Sequence, residues 1–310
     1  MNNHAETPLR LRRFVEMSRF KLGFALACMT GLAACAGDAG KVFTAEQGQV
    51  AYIRFINAIP DSGAQDWRFV DQVEGSPSIA GLSFRGIFPG ASYQPAAAGI
   101  RHLKVFQSSL DPTFADPTKA SPAVVSTVFA DSAFTLTAGT HYTIALVGSL
   151  RSKTAKFLIL TDNYADPGSN VAVRVANLGA GASLDVYGSA TGGNAALPAS
   201  PLAAAVAQYT ASQWVSMAPG ALVLRGNAAG SKTLPAMVDV AAPAGTAANQ
   251  TLNLTAVGGS TIAGSAFTAF IFPPAVTGSL AAQVIAATCP TRCTTAGIVY
   301  AVDKYPPSGF

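Results

Sequence analysis

Ala51-Tyr-Ile-Arg54-Phe-Ile-Asn57 and Val171-Ala-Val-Arg174-Val-Ala-Asn177 are two seven-residue apolar runs, each broken by one central arginine and closed by asparagine. Segments this rich in Ile, Val and Phe read as β-strands. Their recurrence reads as an internal repeat. In each copy an aspartate follows on a second strand pattern, Asp66 in Gln65-Asp66-Trp67 and Asp185 in Leu184-Asp185-Val186-Tyr187. Further on, Tyr93…Ala98-Gly99-Ile100 lines up with Trp214…Pro219-Gly220-Ala221, and Tyr142…Val147-Gly148 with Thr251…Val257-Gly258.

Other short runs bounded by Gly, Pro, Asp and Asn fall at His102–Gln107, Phe157–Thr161, Ala221–Arg225, Thr251–Val257, Phe267–Phe272 and Ile298–Asp303. Sustained 3.6-residue apolar spacing is confined to the leader. The pattern predicts an all-β protein: two tandem antiparallel β-sandwich domains, immunoglobulin-like, following an N-terminal signal helix. The expected boundaries are 1–34 signal peptide, 35–48 tether, 49–164 first unit and 165–310 second unit.

Half of the 310 residues are hydrophobic and only 12% are charged, so a sizeable core is available and wholesale disorder is excluded. Residues 1–34 carry five basic and two acidic side chains. The remaining 15 basic and 14 acidic groups leave the rest nearly neutral, without the basic cluster that nucleic-acid binding needs.

Arg19 and Lys21 precede an apolar run, Leu22 to Leu32, too short to span a bilayer but suited to the hydrophobic part of a signal peptide. Leu32-Ala33-Ala34-Cys35 follows and resembles the bacterial lipobox, in which small residues seat the peptidase and the thiol accepts the lipid. Cys35 is thus the expected lipidation site, with palmitate-type acyl chains, and Ala36 after it points by the same resemblance to the outer membrane. Cys28 would be lost with the leader, and Met17 is an alternative start.

Several stretches together resemble the bacterial domain of unknown function 4397 family. They are Ile53-Arg-Phe-Ile-Asn-Ala-Ile-Pro-Asp61, Ala98-Gly99 before a strand, Leu136 to Gly148, Leu158-Ile-Leu-Thr-Asp-Asn163, and Ile298 to Pro307. The resemblance extends over most of residues 49–310. It departs at the Ala/Gly-rich Gly188–Ala207 and at Asn177-Leu-Gly-Ala, where Pro-Asp would stand. It implies export and a β-rich fold, and no reaction.

Residue chemistry points the same way. A serine hydrolase needs a base beside its nucleophile. Beyond the leader there are only His102 and His141, both in strand-like segments, and there is no Gly-x-Ser-x-Gly elbow. Gly226-Asn-Ala-Ala-Gly-Ser-Lys232-Thr233 imitates a phosphate loop, but Ser231 replaces the required glycine, so a hairpin loop is expected. Cys289 and Cys293 lack neighbouring ligands for zinc and read as a disulfide in an oxidising compartment. Asp162, Asn163 and Asp166 could hold Ca²⁺ but suit a turn before Pro167-Gly168 better. Asp66 and Asp185, at equivalent places, serve the fold twice rather than one carboxylate pair. Trp67, Phe69, Phe84, Phe88 and Tyr93 are expected mostly in the core, with some on a binding face.

The expected function is a non-catalytic, lipid-anchored cell-envelope protein, a binding or structural module. Its partners would be the membrane, through the anchor, and an envelope protein or polysaccharide. No nucleic acid, metal or cofactor is expected. Two rivals are a secreted or envelope hydrolase acting on a polymer, and a subunit of a surface assembly that uses an open sheet edge.

Overall fold

β1 (Val50–Asn57) is buried along nearly its whole length rather than on alternate residues. Such a strand needs cover on both faces. The computed structural model supplies it. The model describes residues 49–71, 79–90, 93–108, 127–282 and 294–305. The signal helix, the tether, Cys35, Cys289 and Cys293 lie outside the described residues.

The first half contributes β1, β2 (Gln65–Phe69), β3 (Ile79–Leu82), β4 (Ile87–Phe88), β5 (Gln94–Ala97), β6 (Gly99–Gln107), β7 (Val128–Leu136), β8 (His141–Val147) and β9 (Lys156–Thr161). The second contributes β10 (Val171–Asn177), β11 (Ser183–Ser189), β12 (Ala203–Ala207), β13 (Thr210–Ala211), β14 (Val215–Met217), β15 (Val223–Ala228), β16 (Val238–Ala241), β17 (Ala266–Phe272) and β18 (Gly297–Lys304).

The strand pairing of the two halves corresponds strand for strand. One sheet of the first half runs β4-β1-β8-β9 with β5 also on β1, and the other runs β3-β2-β6-β7. In the second half the orders are β13-β10-β17-β18 with β14 also on β10, and β12-β11-β15-β16. The protein is all-β and built of packed sheets. Most pairs are antiparallel, but the central ones, β1 with β8 and β10 with β17, are parallel.

Three cores alternate with the sheets. Ile53 and Phe55 of β1 pack with Trp67, Leu103 and Val105 of the outer first-half sheet. Val173 and Val175 of β10 pack with Leu184, Val186 and Leu224 of the outer second-half sheet. The other faces of the central sheets meet each other, where Ile56, Ala145 and Val147 join Ala176, Phe270 and Phe272. The order is therefore outer, central, central, outer. Odd-numbered β1 residues face one core and even-numbered ones the other, as the two-residue strand period requires.

The repeated asparagines close the repeated strands. Asn57 Nδ2 donates to the Leu82 carbonyl at 2.9 Å, and Asn57 Oδ1 accepts from Ile59 N at 3.1 Å. Asn177 does the same with the Val206 carbonyl and Gly179 N, both at 3.1 Å. Asp66 and Asp185 accept at 2.8 Å from Gly81 N and Ala205 N, each holding the irregular step between neighbouring strands.

Thr251–Val257 departs from the sequence expectation. It forms no ladder strand, only isolated bridges, Thr246 with Val257 and Asn249 with Leu254, in an excursion between β16 and β17. The counterpart of β8 is β17, not this segment. Its alternating Leu252 and Leu254 imitate a strand, but among the described residues no sheet lies alongside to bury them.

Candidate functional site

Even-numbered residues of β1 and β10 face the seam between the central sheets, so the arginine at the centre of each repeated strand has to be buried there. Arg54 is 1% exposed and Arg174 4%. A buried guanidinium requires a counter-charge and partners for its N–H groups. The parallel neighbour supplies a hydroxyl partner, and the other half supplies the close counter-charge. Arg54 Nε donates to Thr143 Oγ1 at 2.7 Å, and Arg174 Nε donates to Thr268 Oγ1 at 3.1 Å. Thr143 stands opposite Arg54 in the ladder, as Thr268 stands opposite Arg174.

The ion pairs cross between halves. Arg54 Nη2 pairs with Asp303 of the second half and lies 3.4 Å from Asp162. Arg174 Nη2 pairs with Asp162 of the first half. Each threonine hydroxyl then donates to the carboxylate of its own half, Thr143 to Asp162 and Thr268 to Asp303, the latter at 2.8 Å. The result is a closed, two-fold-related set of two arginines, two threonines and two aspartates.

Tyr93 breaks the symmetry. Its hydroxyl lies 2.8 Å from Asp162 Oδ2 and 2.7 Å from Asp303 Oδ1. One phenol proton thus faces two carboxylate oxygens. Burial pushes Asp303 up from the usual carboxylate range against the pull of Arg54. Burial, then the Asp303 charge, push the Tyr93 phenol up as well, so it stays protonated. Burial works against the Arg54 charge, but Asp303 and Asp162 outweigh it and hold the guanidinium more firmly protonated than usual.

Aromatic rings cover the set. Tyr93 and Trp214, at equivalent positions ahead of β5 and β14, lie over Arg54 and Arg174, each with a 4.7 Å cation–π contact. His141 is stacked on Tyr52 with ring centres 4.7 Å apart and meets the Tyr93 ring edge-on at 4.8 Å. Tyr164 meets Trp214 edge-on at 5.9 Å. Burial lowers the His141 pKa, so the imidazole is neutral at physiological pH.

Other residues singled out from the sequence lie elsewhere. His102 is exposed and pairs with Asp131, which Lys104 also holds at 2.9 Å. Asp162 is buried in the arginine set, whereas Asn163 and Asp166 are exposed, and Asp166 pairs with Lys304 at 2.8 Å. The three therefore do not converge on a common point. Among the described residues no three His, Cys, Asp or Glu side chains gather at metal-binding spacing. Gly226–Thr233 begins in β15 and continues into the loop before β16, with Lys232 Nζ on the Ala199 carbonyl at 3.1 Å. Trp67, Phe69 and Phe84 are core residues, and Phe88 is exposed.

The arginines were visible in the repeat. Their partners were not: Asp303 lies 249 residues from Arg54 and Asp162 108 residues from it. The usable signal was the matching pair of strand-end aspartates, Asp162 and Asp303, that follows each half's last strand pattern.

A search of curated proteins found no match. The model of a family described as a domain of unknown function, DUF4397, matches residues 51–187, from β1 into β11. This window holds Arg54, Tyr93, Thr143, Asp162 and Arg174 and stops short of Thr268 and Asp303. It is shorter than the span read from the sequence. Through residues 51–187 the chain is similar to the DUF4397 family.

Proposed function

We propose that the protein is a non-catalytic, lipid-anchored component of the bacterial cell envelope, acylated at Cys35, held at the outer membrane and acting as a rigid binding or structural module for an envelope protein or polysaccharide. The observation that carries this reading is the saturation of the arginine set. Arg54, Arg174, Asp162, Asp303, Thr143 and Thr268 are buried and bonded to one another across the seam. Groups so engaged clamp the two halves together and are not themselves free to act as base or acid on a substrate. The half-exposed rings above them lie in strands (Tyr52, His141) or next to them (Tyr93, Trp214), the arrangement that binding faces favour.

The test is protease shaving of intact and lysed cells, with Cys35→Ser in parallel. The wild type is expected in the membrane fraction with an acyl mass on Cys35, and the serine variant is expected to leave that fraction. A serine variant that stays in the outer membrane like wild type would refute the anchor.

A second reading, a subunit of a surface assembly, draws on β7. This nine-residue strand pairs only with β6 among the described residues, and its other edge is exposed to strand addition. Chemical cross-linking should then give multimers that Ser132→Lys abolishes. Unchanged multimers would remove β7 from the interface.

A further inference from the structure

Both halves open at the end of the body where the chain enters at Val50. Gly139 N donates to the Val50 carbonyl at 2.8 Å, placing the start of β8 beside the start of β1. In the second half Gly264 N donates to the Asn170 carbonyl at 2.8 Å, placing the start of β17 beside that of β10. At the far end the Pro60 carbonyl, just past β1, accepts from Val276 N at 2.9 Å and Ser279 Oγ at 3.2 Å, just past β17. The central strands of the two halves therefore run in the same direction.

The four most exposed large hydrophobic side chains among the described residues all belong to the entry end. Ile100, 77% exposed, is the second residue of β6 and lies three residues past Ala97, which stands across from Val50. Leu252 at 63%, Leu254 at 53% and Val257 belong to the hairpin arm 243–262. The arm leaves the body here: Gly220 N meets the Ser260 carbonyl at 2.8 Å, and Gly259 N meets Ser265 Oγ at 3.1 Å. The first half has only the short turn Thr137–Thr140 between β7 and β8, so the arm is an addition peculiar to the second. It carries no Asp, Glu, Lys or Arg. Charges near this end are paired, Arg101 with Asp71 and Lys304 with Asp166. Tyr52, Tyr93, Tyr164 and Trp214 form a half-exposed aromatic band just behind.

Exposed leucines on a neutral arm waste apolar surface in water. What they meet is set by where the chain comes from. Fourteen residues, Ala36 to Gln49, separate Cys35 from Val50. A chain of that length reaches at most about 50 Å, so an acylated Cys35 keeps this end within that distance of the lipid. Tyr and Trp behind apolar tips is the order of an interfacial contact.

We infer that the entry end is a membrane-contacting surface, with Ile100, Leu252 and Leu254 lodged in the lipid layer that holds the anchor. The inference rests on the lipid-anchor reading. It makes the arm a second, non-covalent foothold that fixes the orientation of the body, which a single covalent attachment leaves free. Because the charges here are paired, lipid headgroup charge should matter little.

Benzoylphenylalanine replacing Leu252 in the full chain in living cells, with Leu234 at the far end as control, tests it. Irradiation is expected to give phospholipid adducts at 252 about tenfold above those at 234, with Cys35 acylated. Equal adducts at both positions, or adducts to another protein at 252, with Cys35 still acylated, would overturn the membrane contact and leave the anchor standing. An unacylated Cys35 would overturn the anchor reading and this inference with it.

Discussion

Replacing Arg54 by alanine is expected to destabilise the body by about 3–5 kcal/mol, the cost of stranding a buried carboxylate. Asp303 would lose its close partner, and Asp162 one of its two arginines, in a seam where neither side chain reaches water. The Tyr93 and Phe270 rings would lose the cation they flank, at 4.7 and 5.1 Å. Urea unfolding followed by circular dichroism measures the loss from the midpoint at constant slope. The double variant Arg54→Met with Asp303→Leu should recover much of it, because apolar residues of similar volume carry no desolvation cost. A single-variant loss below about 1 kcal/mol would mean that solvent reaches the carboxylates and that the ion pairs do not hold the halves together.

Trp67→Ala should cost a similar amount, about 3–5 kcal/mol, by a different route. Trp67 is fully buried in the first-half core, with Phe55 at 5.1 Å and Phe157 at 6.0 Å. Truncation leaves a cavity between two sheets that cannot collapse onto it. Trp67→Phe should cost much less, since the buried indole N–H has no hydrogen-bond partner among the described residues and its removal relieves an unsatisfied donor. The informative part is the shape of the transition. β1 lends one face to this core and the other to the seam, so damage at Trp67 should be felt by residues 171–304 as well. Calorimetry of Trp67→Ala should show one transition at lower temperature, with calorimetric and van't Hoff enthalpies still equal. Two separated transitions would mean that the halves fold independently.

Much of the fold was legible because the central strands carry their own signal. β1, β10 and β17 are continuous apolar runs, and the two that match, Val50–Asn57 and Val171–Asn177, exposed the repeat through Arg54, Arg174, Asn57 and Asn177. The parallel pairing of β1 with β8 was not legible, since strand composition does not encode direction. The arm was misread for a physical reason. Leu252 and Leu254 alternate with Thr251, Asn253 and Thr255 like a strand, but alternation reports a half-buried sheet only where a sheet exists to bury one side. This misreading also displaced the counterpart of β8 to a segment ahead of β17. The candidate site was legible in pieces. Asp162 read as a turn residue because Asn163, Asp166, Pro167 and Gly168 follow it. Only the folded chain shows that it turns inward while they turn out.

The crossed ion pairs also say something about the order in which the chain can be finished. Arg54 emerges 249 residues before Asp303, its nearest counter-ion. Until that aspartate arrives, the seam face of β1 presents a guanidinium beside Ile56, and closing that face would bury an unbalanced cation. Nascent chains therefore have reason to keep this surface open through most of their synthesis. In that sense the pair works as a latch thrown by the final strand, and an incomplete chain is marked as incomplete by the charge it cannot hide.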